Sequence, residues 1–509
     1  MISTATQFTN EQIMNVIKDL DVESVSVGEG REEMFVFRDE LENLGKASTQ
    51  PQGCKVVSLY DPSVQSIWAA VASRFGDRWI YPIIRDGTLI GGAEKWNMSG
   101  VIEIRELDVD TVENIPSVLD ALDVLMQYHK MEGYDVIRMR EVMGNTPSNS
   151  PQEVRDIFSS KGWIEVGDMF AKGNLVPTRC SFDSALSLVF TKQGLGKRFQ
   201  NVADAIKVQG GLRSDASTSI RCRNRIPLKS MFDMGFVVKV QAIPDYITYT
   251  SLEFASLCRA AKNREITPDM KLILKMIESG KPMFKGTILN NSPLSKDATQ
   301  EALKSLTSGA IIYTDQNKRF RIIPDSGMDV HDARKSIIIH FFENYGLFSA
   351  ENLSRFLRFR MPMRDIRQIL AELEDEDFLV KGFLVDGTDT MYWIMKSELE
   401  SYGAANFKGE VVITPDDNLH TYLSDWIKKL RGGATYSVIM DGSRLAGSFR
   451  GRVNSKDEMS VEDFLGSREA ELILERYARS NGIVCKRTTD SEDDWDILSF
   501  YEKTNPGTV

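Results

Sequence analysis

At 509 residues the chain is too long for one hydrophobic core, so three or more domains are expected. Its 42% hydrophobic and 27% charged residues leave little room for extended disorder. With no run of about 18 apolar residues and no basic or apolar signal regions in the start "MISTATQFTNEQIMNVIKDL", the expectation is a soluble, cytoplasmic protein away from membranes. The formal net charge of −11 argues against a polyanionic partner, yet residues 192–321 hold 22 Lys and Arg against 11 Asp and Glu, leaving −22 for the rest. A basic middle between acidic ends is the asymmetry of a chain in which one part faces phosphate. Five cysteines and four histidines are scattered without zinc-ligand spacing, so no metal and no cofactor are expected.

In chain order, residues 1–50 form an acidic extension, a small strand-helix element or a partner-binding segment. Residues 51–177 read as an α+β module, and part of it recurs. "VVSLYDPSVQSIWAAVASRFGDRWIYPIIRDGTLIGG" (56–92) aligns without gaps on "VVITPDDNLHTYLSDWIKKLRGGATYSVIMDGSRLAG" (411–447), with eight of 37 positions identical. Each copy reads as strand, helix and hairpin. Asp86-Gly87 and Asp441-Gly442 supply the positive φ that a tight hairpin turn needs. Residues 401–509 are thus a shorter relative of the first module.

Between the copies the pattern becomes helical. Residues 267–328 run helix, short helix and Ser-initiated helix, then the strands "AIIYTD" and "RFRIIP" around Asn317; three helices and a hairpin make a winged helix. Residues 329–400 repeat this order, with "SAENLSRFL", "MRDIRQILAELEDED" and a hairpin around Asp386-Gly387. A third, divergent winged-helix-like domain is expected over 178–266. The fold class is α+β: tandem winged helices flanked by two related α+β modules with β-barrel-like hairpins.

In a winged helix the third helix meets the DNA groove or backbone and the wing reaches a neighbouring phosphate. Lys318, Arg319 and Arg321 decorate the first wing. In the second unit Arg355, Arg358, Arg360, Arg364 and Arg367 crowd into 13 residues, an arrangement that favours an anionic partner. The alternative is that Asp365, Glu372 and Glu374 pair with them on a solvated face. "KQGLGKRF" (192–199) fails as a nucleotide loop, because Thr191 stands where the first Gly is required and Arg198 where Ser or Thr holds magnesium. No ATPase is therefore expected.

The stretch "AIKVQGGLRSDASTSIRCRNR" (205–225) breaks a helix at Gly210-Gly211 and gathers Arg213, Arg221, Arg223 and Arg225 around Asp215. Asp215 or Ser217 can cap the next helix; with Lys197 and Arg198, the arginines can also face DNA. "SFDSALSLVFTKQGLGKRFQNVADAIKVQGGLRSD" resembles the amino-terminal region of the YcaQ/AlkZ-like winged-helix DNA glycosylases, which carry a "QGL" and, further on, a Gly-Gly-Leu before a Gln-x-Gln or Gln-x-Asp catalytic motif. "FVVKVQAIPDYITYTSLEFASL" (236–257) is similar to the strand and helix that follow. Residues 134–173 resemble the tail of Lhr-type helicases, and together the two resemblances span most of residues 54–500.

The glycosylase resemblance implies that the motif activates water as a damaged base leaves. Here it reads Arg213-Ser214-Asp215: Asp215 falls on the acidic position, Arg213 replaces the glutamine, and Ile247 occupies the place of a family histidine. Two functions follow from these readings. One is a DNA-binding protein of repair or processing that works through tandem winged helices, with DNA and a separate helicase or repair protein as partners. The other is a DNA glycosylase with Asp215 as catalytic carboxylate.

Overall fold

The computed structural model describes residues 22–27, 32–38, 53–58, 61–98, 100–130, 133–242, 246–279, 283–357, 361–433, 435–453 and 458–487. It divides into two compact units, Met1–Asn174 and Leu175–Val509.

In the first unit, β1 (Val22–Val27) and β2 (Glu32–Phe37) pair antiparallel. After them, β3 (Cys54–Val56), β4 (Tyr81–Arg85), β5 (Thr88–Met98), β6 (Val101–Val109), β7 (Val136–Val142), β8 (Ile164–Glu165) and β9 (Phe170–Gly173) form one sheet in the order β3-β4-β5-β6-β7-β9-β8. The sheet is open at both ends, so the barrel-like closure expected from the hairpins is replaced by a flanked open sheet. Only β6 and β7 are parallel. A parallel pair needs a crossover, and α2 (Ile115–Lys130) supplies it with Ile115, Val118, Leu119 and Leu122 fully buried on Ile102, Ile104, Ile137 and Met139. The other helices of this unit are α1 (Pro62–Phe75) and α3 (Gln152–Ser160). Val71 and Phe75 of α1 pack with Ile80 in a second, smaller core.

The second unit opens with α4 (Phe182–Lys192), α5 (Val202–Gln209), α6 (Asp215–Arg221), α7 (Leu228–Asp233) and α8 (Leu252–Lys262). The hairpin β10 (Val238–Gln241) and β11 (Ile247–Thr250) lies between α7 and α8. Next come α9 (Pro268–Glu278), α10 (Lys285–Asn291) and α11 (Lys296–Ser308), closed by β12 (Ile312–Thr314) and β13 (Phe320–Ile322). Thr267 and Ser295 cap α9 and α11 through their side chains. Lys239 pairs with Thr314, so the two hairpins share one sheet, β11-β10-β12-β13. That sheet has strands on both sides of the boundary expected at 266/267, which itself lies between α8 and α9.

A second run of α12 (Val330–Tyr345), β14 (Leu347–Phe348), α13 (Ala350–Phe356), α14 (Met363–Asp375), β15 (Leu379–Gly382) and β16 (Tyr392–Met395) follows. Phe341, Tyr345, Phe348 and Phe356 interlock at its centre, with ring centroids 5.1–6.1 Å apart. The chain ends in β17 (Glu410–Ile413), α15 (Asn418–Tyr422), α16 (Ser424–Arg431), β18 (Ser437–Asp441), β19 (Arg444–Val453), β20 (Glu458–Gly466), α17 (Arg468–Ser480) and β21 (Val484–Arg487).

This last sheet repeats the first in detail. Three antiparallel pairings are followed by a parallel one, β20 with β21, across a helix. The register slips between Ala93 and Lys95 in β5 and between Ser448 and Arg450 in β19. Both slips lie at the same offset just past the end of the ungapped repeat, so the likeness of the copies extends to a β-bulge.

Candidate nucleic-acid interface around Asp215

Asn201 caps α5 by accepting from the Asp204 N–H at 3.0 Å, and Gly210 ends the helix in the left-handed region at φ 68°. A side chain at Gly210 would put its Cβ 2.6 Å from the Phe254 ring, so glycine is required both by φ and by space. Leu212 then exchanges backbone hydrogen bonds with Tyr249 at 2.9 and 2.8 Å, while Asn418 Nδ2 donates to the Gly211 carbonyl at 2.9 Å. The Gly-Gly stretch is thus held between the β11 strand and the carboxy-terminal module, away from any cradle for phosphates.

Asp215 is exposed at the first position of α6, and its Oδ1 accepts the Leu228 N–H at 2.7 Å. It therefore caps α7, where capping of its own helix is expected, and Ser217 makes no cap. Arg213 makes no ion pair with Asp215. Its Nη1 donates to the Pro415 carbonyl at 3.1 Å and its guanidinium lies 4.0 Å from the Tyr246 ring centroid. Arg213 thus points to the carboxy-terminal module and an aromatic face.

Arg221 is withdrawn from the expected DNA-contacting set. It has no exposed surface and forms a two-pronged ion pair with the buried Asp417, Nη1 to Oδ2 2.5 Å and Nη2 to Oδ1 2.8 Å. Burial alone would raise the Asp417 carboxyl, but the Arg221 charge and hydrogen bonds, together with the Leu419 N–H, hold it below the usual carboxylate range. Cys222 beside it is no nucleophile, because burial pushes its thiol up to about 11.

The remaining cations of this region converge through the backbone. Phe199 N–H donates to the Arg221 carbonyl at 2.7 Å and Arg223 N–H to the Phe199 carbonyl at 2.9 Å. This short ladder sets the exposed Lys197 and Arg198 alongside the exposed Arg223 and Arg225. Arg225 is anchored on the Ser480 carbonyl at 2.9 Å.

The β12–β13 turn forms a separate tip. Lys318 is exposed at φ 61°, and Asp315 organises the turn by accepting from Asn317 N–H and Arg319 N–H, each at 2.9 Å. Arg321 pairs with Asp315 at 2.9 Å, and Arg319 lies over the Phe284 ring at 5.9 Å. On α14, Arg364 projects with 89% of its side chain exposed, whereas Arg367 is half-buried. Arg358 and Arg360 lie outside the described residues. Of the acidic residues expected to pair with this arginine group, Asp365 takes Arg364 at 3.9 Å as well as Arg334 at 2.9 Å, while Glu372 takes His331 at 2.7 Å and Glu374 takes Lys381 at 2.7 Å. Arg355 pairs with Asp425 of α16.

Sequence reasoning overlooked the exposed apolar side chains here, Ile226, Met234, Phe236, Tyr246 and Ile247. The available signal was "DMGFVV", in which apolar residues flank a turn glycine. Among the described residues, no cluster of three His, Cys, Asp or Glu could hold a metal, and no helix is long and apolar enough to cross a membrane.

No protein-family model matches the chain, and no curated protein matches it by sequence. Among solved structures, the DNA glycosylase AlkZ of Streptomyces sahachiroi is similar in fold, with a TM-score of 0.50 and 13% identity over 61% of this chain and all of that one. A crystal structure of FemX is 12% identical over 93% of each chain, but its TM-score of 0.14 carries no argument.

Proposed function

We propose that the chain binds duplex DNA in a repair or processing role, with its two three-helix-and-hairpin regions acting as tandem winged helices. The observation that carries this reading is the backbone ladder that sets exposed Lys197, Arg198, Arg223 and Arg225 side by side. The fold likeness to a DNA glycosylase along that protein's whole length supports it. The exposed Lys318 and Arg364 add phosphate contacts, and base readout is not required for such binding. Strand opening would fall to a separate motor protein. Fluorescence anisotropy against salt concentration tests the reading: affinity should fall steeply with salt, and a flat response overturns it.

Asp215 favours a second reading, base excision. It is open to solvent while one carboxylate oxygen is fixed by the Leu228 N–H, and Arg213 is turned aside. A carboxylate so oriented can stabilise oxocarbenium character on the sugar and accept a proton from water as the base departs, once the base has left the stack. Duplexes carrying uracil, alkylated bases or a crosslink, followed by alkali cleavage, test it. Abasic sites made by the unaltered chain and lost in Asp215→Asn support excision; no abasic sites with any of these substrates leaves binding alone.

A further inference from the structure

The α7–β10 turn holds two exposed apolar side chains, Met234 at 54% and Phe236 at 69%. Leaving two such side chains in water forfeits a favourable burial term, and here the turn that presents them is firmly built. Gly235 N–H donates to the Phe232 carbonyl at 2.9 Å and Phe236 N–H to the Met231 carbonyl at 3.0 Å, with Gly235 at φ 79°.

Two neighbours say what the tip meets. The position of a Cβ on Gly235 lies 3.8 Å from Gln316 Nε2, so the tip abuts the β12–β13 turn that carries the exposed Lys318. The Lys239–Thr314 pairing fixes that juxtaposition through the shared sheet. At its other end, α7 begins at Leu228, whose N–H is held by Asp215. Six helical residues rise about 9 Å, so Asp215 and the apolar tip stand at opposite ends of one short helix. That is about three base steps at ~3.4 Å along a strand.

We propose that Met234 and Phe236 form a wedge that stacks into an interrupted base stack, with Lys318 on the adjacent phosphate and Asp215 about three steps away. The occupant is a nucleic acid with a mismatch, gap or displaced base. Apolar side chains enter such steps because the unstacking cost is already partly met there, and neighbouring cations hold the backbone. This inference rests on the DNA-binding reading and assigns the substrate class of that same surface.

The test uses the full chain, a fully paired duplex and the same duplex with a central mismatched bubble flanked by 2-aminopurine. The unaltered protein should prefer the bubble and brighten the probe. A Met234→Ala, Phe236→Ala double variant should lose about tenfold in affinity for the bubble, little for the paired duplex, and the brightening, at an unchanged salt slope. Phe236→Trp should keep the brightening. Lys318→Ala should instead weaken both duplexes and lower the salt slope by about one. Because both wedge side chains are exposed, an unchanged Tm is the check on folding. A double variant that binds both duplexes like the unaltered chain overturns the wedge and leaves DNA binding standing, whereas no binding to either duplex by the unaltered chain overturns both readings. Loss of self-association with DNA binding intact overturns the wedge in favour of a contact between copies.

Discussion

Arg221 of α6 and Asp417 before α15 hold each other across 196 residues of chain, with both side chains at most 2% exposed. Around them Asn418 reaches Gly211, Arg213 reaches Pro415 and Tyr422 stacks on Tyr345 at 5.6 Å. The candidate motif region and the last module are therefore joined around one buried charge pair, with the exposed Arg225 bridging to Ser480 at 2.9 Å.

Asp417→Ala should destabilise the protein by about 3–5 kcal/mol, since it leaves a guanidinium buried without its partner. Replacing both residues, Arg221→Met with Asp417→Leu, should recover most of that loss. Thermal melts of these two variants and of Arg221→Met alone measure it, and additive losses in the double variant would refute the coupling.

Stability should fall with acid in two separate windows. Burial, opposed by the Val208 backbone and helped by Lys207, lowers His340 from 6.5 to about 4. The unfolded state then binds the extra proton first, so this contribution is present above about pH 6.5 and is lost as pH falls toward 4. Asp417 is depressed below its ordinary carboxylate value, so its share persists through that window and disappears only at lower pH. Melting temperatures of His340→Gln should lose the upper slope and keep the lower one.

Asp215 has a structural task that an excision assay must separate from chemistry. Asp215→Ala removes the acceptor for the Leu228 N–H and should cost about 1 kcal/mol of stability. Asp215→Asn retains an oxygen acceptor and should melt nearly as the unaltered chain does, so any activity lost in that variant reports the charge.

Salt dependence distinguishes surface from buried arginines. Neutralising Arg198, Arg223 or Arg225 should lower the slope of log affinity against log salt by about one each, with little change in Tm. Arg221→Met should do the reverse: a large fall in Tm and, at temperatures where it stays folded, an unchanged slope.

Much of the framework was legible from local rules. The helix capped at Thr267, the strands around Asn317 and the stop at Gly210 all follow from side chains that act within a few residues. The repeat was visible because hairpin chemistry at Asp86-Gly87 and Asp441-Gly442 recurs at fixed spacing. What was not legible depends on distant partners. Nothing near Arg221 marks it as buried, because its environment is supplied by Asp417; Asp215 reads as a cap for α6 until Leu228 is found beside it. The shared sheet of β10 and β12 is of the same kind, a single pairing between hairpins that each look complete.

The bulge common to β5 and β19 has a consequence for how the chain reaches its native state. Two sheets of matching strand order and matching irregularity, synthesised on one polypeptide, can exchange strands, the misassembly hazard of repeat-bearing proteins. With only eight of 37 aligned residues in common, a transplanted strand would bring mismatched side chains against its new neighbours. The sequence drift between the copies thus acts as a proofreading device during folding, because it penalises the wrong partner while leaving the shared backbone geometry intact.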